Sequence, residues 1–233
     1  MPFVIRPTAS VDEFIAFKFP PIEGVVVYRG VSDQNYDLLP TVGRWKGPES
    51  RRIHFERQVF DDFRSRALGY LKVVPRNNWE WLFLAQHHGL PTRLLDWTTS
   101  PLVALRFALM SDKDADFAVY ALNISQAKLP SEMVASMWPD PLAVQQVAQV
   151  FPTYVSNRVE RQLSIFTIQP DPWTPLRDAN QIQKFIFSKA TRRDALRKLQ
   201  YLGFTNALLN PSLDSLARDI AFSHDVIDPA LNI

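Results

Sequence analysis

The sequence predicts an α+β fold in a single domain spanning residues 1–233. Strand-like and helix-like segments are mixed along the chain without the regular alternation of a doubly wound sheet. The 233-residue length suits one large domain. Hydrophobic residues make up 46% of the chain, with 16 Phe, six Trp and six Tyr, enough apolar surface for a core of that size.

Each element follows from a local pattern. Ser10-Val11-Asp12-Glu13 fits a capping box and predicts a short helix. Gly24-Val25-Val26-Val27-Tyr28 is a β-branched run that predicts a buried strand ending at Arg29-Gly30. Over residues 49–71, Phe55, Val59, Phe60, Phe63, Ala67 and Tyr70 recur at helical spacing opposite a charged face, which predicts an amphipathic helix resting on a core. A further helix is expected over 78–88, with Asn78 as its N-cap and Gly89 as its stop. Ser100 as cap and Pro101 at the first helical position open a buried helix over 102–110 that carries Arg106. Residues 117–122 and 163–168 read as strands. Thr191 to Asp194 reads as a second capping box, opening a helix that stops near Gly203, and 205–209 read as a last strand. Residues 130–152, bounded and interrupted by proline, carry no assigned element.

Composition narrows the function. The net charge is +2, from 26 basic and 24 acidic residues. That balance argues against a strongly electrostatic nucleic-acid binder and leaves room for a local basic patch. There is no cysteine, so disulfides, thiolate zinc sites and cysteine nucleophiles are excluded. The N-terminal residues lack the apolar run of a signal peptide, and no stretch approaches the roughly 18 apolar residues of a membrane span. A cytoplasmic protein without membrane partners is the expectation. No GxGxxG, GxxxxGK[ST] or HExxH pattern is present. His87 and His88 are adjacent on a helix, where neighbours point about 100° apart, so they do not face one metal ion, and no metal is expected.

Three polar clusters carry chemistry. The first is Arg29-Gly30 at a strand end: the guanidinium is a planar fork of donors for phosphate or carboxylate, and Gly allows close approach. An ordinary pairing of Arg29 with a local acid explains it equally well. The second runs from Gln86 to Ser100 and lies between two strongly apolar helices. Arg93 and Asp96 could satisfy each other there, whereas His87, Arg93, Thr98, Thr99 and Ser100 are harder to account for by packing, and the helix start at Ser100 could receive an anion. The third is Arg158-Val159-Glu160-Arg161-Gln162 before a strand, where Glu160 and Gln162 share a face. A solvated strand edge is the simpler account of it.

Tyr28-Arg29-Gly30, followed by Leu38-Leu39-Pro40 and Arg44, resembles the motif that names the FRG domain family. The stretch WLFLAQHHGLPTRLLDWTTSPLVALRFA over residues 81–108 is similar to that family's signature, and the resemblance extends over about 25–220 through Arg158-x-x-x-Gln162 and Asn210-Pro211-Ser212-Leu213-Asp214. More distantly, the order of Arg29, then Thr98-Thr99-Ser100 leading into a helix, then Glu160-Arg161-Gln162 entering a strand resembles the ADP-ribosyltransferase fold of the Arg-Ser-Glu type. That resemblance implies a mixed, split β-sheet flanked by helices. It implies NAD as substrate, with Arg29 and Arg93 anchoring phosphates, Gly30, Thr98, Thr99 and Ser100 shaping the nucleotide pocket, and Glu160, Gln162 and His87 in the chemistry. Gln162 stands where those enzymes carry their essential Glu, so Glu160 or Asp96 would have to supply the carboxylate. The implied function is an ADP-ribosyltransferase-like enzyme or NAD glycohydrolase, in the setting of a toxin or phage-defence effector with a protein or nucleic-acid acceptor. A nucleotide-binding module without catalysis is the alternative, and a nucleic-acid-cleaving toxin using His87 or His88 is a third.

Overall fold

The computed structural model describes residues 4–8, 10–17, 25–111, 113–124, 131–151, 164–177 and 182–224. Seven strands form one mixed sheet: β1 (Val4–Thr8), β2 (Val26–Val31), β3 (Leu95–Thr98), β4 (Phe117–Asn123), β5 (Ala148–Val150), β6 (Ser164–Ile168) and β7 (Ile182–Phe187), in the order β1-β7-β4-β2-β3-β6-β5. The pairing of β1 with β7 is parallel, and all the others are antiparallel. The helices are α1 (Val11–Ala16), α2 (Arg52–Ala67), α3 (Asn78–His87), α4 (Pro101–Ala108), α5 (Ser131–Met137), α6 (Arg192–Tyr201), α7 (Asn206–Leu209) and α8 (Leu213–Ser223). No described helix is long and apolar enough to cross a membrane.

Both faces of the sheet centre are covered, which is why β4 reads as an unbroken apolar run and is buried along its whole length. On one face Phe117, Val119, Ala121, Phe185 and Phe187 meet α1, α4, α6 and α8. On the other, Val27, Val31, Tyr120, Leu122 and Ile182 pack with Leu38, Trp97 and Leu176. A third cluster centres on α3, whose Trp79, Trp81, Leu82, Phe83 and Leu84 pack with Phe60 of α2 and with Phe166 and Ile168 of β6.

The centre of the sheet has one weak joint. β2 and β4 share six register pairs, and β3 and β6 share four, but β2 and β3 meet at Tyr28↔Thr98 alone. Beyond that pair Arg29, Gly30 and Val31 have no ladder partner on the β3 side. The half of the sheet carrying β2 is held instead by α4. A Cβ built on Gly30 would lie 1.8 Å from the Ala104 carbonyl oxygen and 2.6 Å from the Ala108 nitrogen, so the α4 backbone rests directly on β2. Replacing Gly30 with alanine is therefore expected to force α4 off the sheet and to lower stability by about 3 kcal/mol, at the upper end of overpacking costs. Urea unfolding checks this.

Several expectations require correction. Asn77, not Asn78, caps α3: its side chain accepts from Glu80 N at 2.9 Å, while the Glu80 carboxylate accepts from Arg76 N at 2.7 Å. Gly89 does close that helix, with φ +81°. Thr191 makes no side-chain cap; a 3-10 turn, Lys189–Thr191, capped by Ser188, precedes α6. Of residues 205–209, expected as a strand, Asn206–Leu209 form a helix. Thr205 caps α7, and the α8 carboxylate of Asp219 accepts from Asn206 N at 3.0 Å and Ala207 N at 2.8 Å. Tyr70 leaves the core face of α2 because the helix ends at Ala67, and the following turn turns the ring outward until it is 89% exposed.

Candidate functional site

The divergence of β2 from β3 opens a hollow of about 380 Å³ between them, in the 300–1,000 Å³ range typical of ligand sites. Arg29, Gly30, Tyr36, Arg44, Gln86, Asp96, Thr98 and Ser164 are among its lining residues. Arg29 reaches across the gap. Its Nη1 donates to the Asp96 carbonyl at 2.7 Å and lies 3.5 Å from Asp96 Oδ2. Its side chain is only 17% exposed, and Nε is buried without an acceptor among the described residues.

Arg44 arrives from a 3-10 turn, Val42–Arg44, fixed by Val42 N donating to the Thr92 carbonyl at 3.1 Å. Its own Nη2 donates to the Leu39 carbonyl at 3.2 Å. Gly43 is required in that turn, since a Cβ there would meet the Pro172 carbonyl at 2.0 Å. Two guanidinium groups thus face one hollow with a single described carboxylate. Burial lowers the pKa of Arg29 from its ordinary value, and the like charge of Arg44 acts in the same direction, while Asp96 opposes both. An anion entering the hollow removes that like-charge stress.

Asp96 is held from α3. Its Oδ2 accepts from Gln86 Nε2 at 2.8 Å, and Gln86 Oε1 in turn accepts from the Thr92 hydroxyl at 2.5 Å. Thr92 Oγ1 also accepts from Leu94 N at 3.2 Å, so the turn into β3 and the orientation of the carboxylate are fixed together. The Asp96 side chain remains 53% exposed. Tyr36 supplies an aromatic wall; Lys113 Nζ lies 4.3 Å from its ring centroid, and Tyr120 OH donates to its carbonyl at 2.8 Å. Burial raises the pKa of the Tyr120 hydroxyl above its ordinary value.

Residues 24–116 match the family model of the FRG domain. The chain contains an FRG domain. No curated protein and no solved structure matches the chain. The matched stretch of the FRG domain covers Arg29, Tyr36, Arg44, Gln86, Asp96 and Thr98, that is, the walls of the hollow except its β6 edge at Ser164.

Inside and outside the FRG domain, the expected site residues divide. Arg29, Gly30 and Thr98 line the same hollow. Thr98 Oγ1 accepts from Ser100 N at 3.2 Å, and Ser100 Oγ accepts from Val103 N at 3.3 Å, so both hydroxyls serve the entry into α4. Thr99 is exposed beside them and does not line the hollow. Arg93 is in another place altogether. It is 4% exposed and makes a bidentate pair with Glu56, Nε to Oε1 at 2.7 Å and Nη2 to Oε2 at 2.5 Å, so it neither joins Arg29 nor pairs with Asp96. His87 is not a lining residue either. Its ring meets His88 edge-on with centroids 5.0 Å apart, and His88 borders a separate apolar hollow between α2 and α3. Glu160 and Gln162, with Arg158, lie outside the described residues. Among the described residues no cluster of three or more His, Asp or Glu is placed to hold a metal ion.

Tyr36, Gln86 and Ser164 were not among the expected binding or catalytic residues, whereas Asp96 was, as the alternative to Glu160 for the carboxylate. Gln86 and Asp96 sit inside the densest polar stretch, which was the available signal. Tyr36 and Ser164 gave none, because only the three-dimensional divergence of β2 and β3 brings them to the same opening.

Proposed function

We propose that the FRG domain binds NAD in the hollow between β2 and β3 and acts there as an ADP-ribosyltransferase-like enzyme. The reading rests on one observation: Arg29 and Arg44 converge on a nucleotide-sized hollow whose opposite wall carries the Asp96 carboxylate. The two guanidinium groups suit the diphosphate, as planar forks of charged donors. Tyr36 offers a face for a heterocycle. When the bond between nicotinamide and ribose breaks, nicotinamide leaves with the bonding electrons and positive charge grows on the ribose. A carboxylate aimed at that charge lowers the barrier. Asp96, oriented by Gln86, is the described group able to do so. Water or an acceptor hydroxyl or amide then attacks the ribose carbon and gives up its proton, or an acceptor carboxylate attacks with no proton to lose. A protein or nucleic-acid acceptor, as for a toxin or defence effector, is part of the same proposal.

A second reading, nucleotide binding without catalysis, draws on the same geometry. The Asp96 carboxylate already takes a hydrogen bond from Gln86 and lies beside Arg29, so part of its charge is committed. Calorimetry with NAD, together with chromatography of released nicotinamide, separates the two. We expect NAD to bind and nicotinamide to appear, with Asp96→Asn retaining binding and releasing nicotinamide about 100-fold more slowly, the usual loss for one transition-state stabiliser. Binding without release favours the second reading. No binding of NAD contradicts the first reading, and no binding of any nucleotide contradicts both.

A further inference from the structure

A second polar hollow, of about 390 Å³, lies between the start of α2 and the turn at 170–173, and it shares no lining residue with the β2–β3 hollow. Arg52, Glu56, Arg57, Arg93, Asp171 and Trp173 border it. Three of these keep a buried N–H with no acceptor among the described residues: Arg93 Nη1, Arg52 Nε and Trp173 Nε1. A buried donor left unpaired costs free energy, and three around one hollow point to a missing acceptor.

The acids nearby are already engaged. Both oxygens of Glu56 take Arg93. Asp171 accepts from Trp173 N at 3.0 Å and from the Thr174 hydroxyl at 2.5 Å. At the rim, Arg52 Nη1 is held at 2.8 Å by Glu49, whose side chain is 85% exposed and easily displaced by a competing anion. The far wall is built rather than loose. Gln169 Nε2 donates to the carbonyls of Asp171 at 2.7 Å and Thr174 at 2.5 Å, and the Pro172 carbonyl abuts Gly43. The Arg52 guanidinium lies over the Trp173 ring, 5.9 Å from its centroid.

We propose that this hollow is a binding site for a ligand bearing an oxyanion, a phosphoryl or carboxylate group, received by Arg93, Arg52 and the Trp173 indole N–H. Arg93, buried and already fixed by Glu56, supplies a pre-oriented donor at the base. Arg52 supplies charge at the rim. Trp173 adds both a donor and a flat apolar surface for whatever carries the oxyanion.

The test uses the whole ¹⁵N-labelled chain carrying Arg29→Gln, which takes the first hollow out of the measurement. Inorganic phosphate is titrated in one arm and acetate in the other, each against sodium chloride at matched ionic strength. The Trp173 indole N–H resonance, assigned by its loss in Trp173→Phe, is the readout. A saturable shift with phosphate identifies the phosphoryl class, and one with acetate the carboxylate class. In either case Arg52→Gln is expected to weaken the saturation by about tenfold, the effect of one charge-assisted hydrogen bond. A resonance that moves with neither anion, that follows chloride equally, or that saturates unchanged in Arg52→Gln means the hollow holds water only and overturns the proposal. Because no NAD is involved, this outcome is independent of the reading of the first hollow.

Discussion

Replacing Arg29 with glutamine is expected to weaken NAD or ADP-ribose binding at least about 100-fold, the largest single effect on the proposed activity. A charge-assisted hydrogen bond is worth about 1.5–3 kcal/mol, and removing a cation from a half-buried anion site adds the loss of its field. Arg29 also donates to the Asp96 carbonyl at 2.7 Å across the seam where β2 and β3 share one register pair, so its loss loosens the sheet as well. Arg29→Lys separates the two roles. A lysine keeps the charge but cannot fork between the Asp96 carbonyl and a phosphate oxygen. We expect Arg29→Lys to recover stability more fully than binding, read by urea unfolding beside calorimetry.

Removing Glu56 has the largest expected effect on stability. Glu56 and Arg93 are each only 4% exposed, and Glu56→Ala leaves the Arg93 guanidinium buried without its counter-ion. Breaking a buried pair from one side typically costs about 3–5 kcal/mol. In a chain of this size that corresponds to a fall of about 10 °C in Tm. The pair itself is not worth that much, because both ions lost hydration to form it. The double variant Glu56→Met with Arg93→Met should therefore recover much of the loss. If the double variant is as unstable as Glu56→Ala, the penalty is not one of an orphaned charge.

This pair also marks how far the sequence could be read. Glu56 lies on the same face of α2 as Phe60 and Phe63, so an acid on an apolar stripe was visible. Its partner, 37 positions away in the chain, was not. Arg93 and Asp96, three residues apart, were open to being read as one pair. Arg93 instead pairs with Glu56 of α2, while Asp96 lies against Arg29 of β2. The same limit governs the strands. β2 and β4 are long apolar runs, and they were legible. β3 is four residues long with Asp96 in its middle, β5 has three residues, and β1 contains Pro7, which an edge strand tolerates. β7 carries a clearer apolar pattern, Ile182-Gln183-Lys184-Phe185-Ile186-Phe187, that went unassigned. The cap-driven starts of α1 and α4 were read directly from Ser10 and from Ser100-Pro101. α7 was missed because Asp219 of another helix supplies much of its N-terminal capping.

Arg29 was expected at the end of an apolar strand, with an ordinary ion pair as an equal account, and the structure sets it inside β2 at a seam in the sheet, with a second guanidinium from Arg44 and a carboxylate held by Gln86. A crystal structure of the chain with ADP-ribose tests this account most directly. It should place diphosphate oxygens about 3 Å from the guanidinium nitrogens of Arg29 and Arg44, with the ribose next to Asp96. Finding the nucleotide in the hollow beside Trp173, or bound with Arg29 still closed onto Asp96 and making no contact, would contradict it.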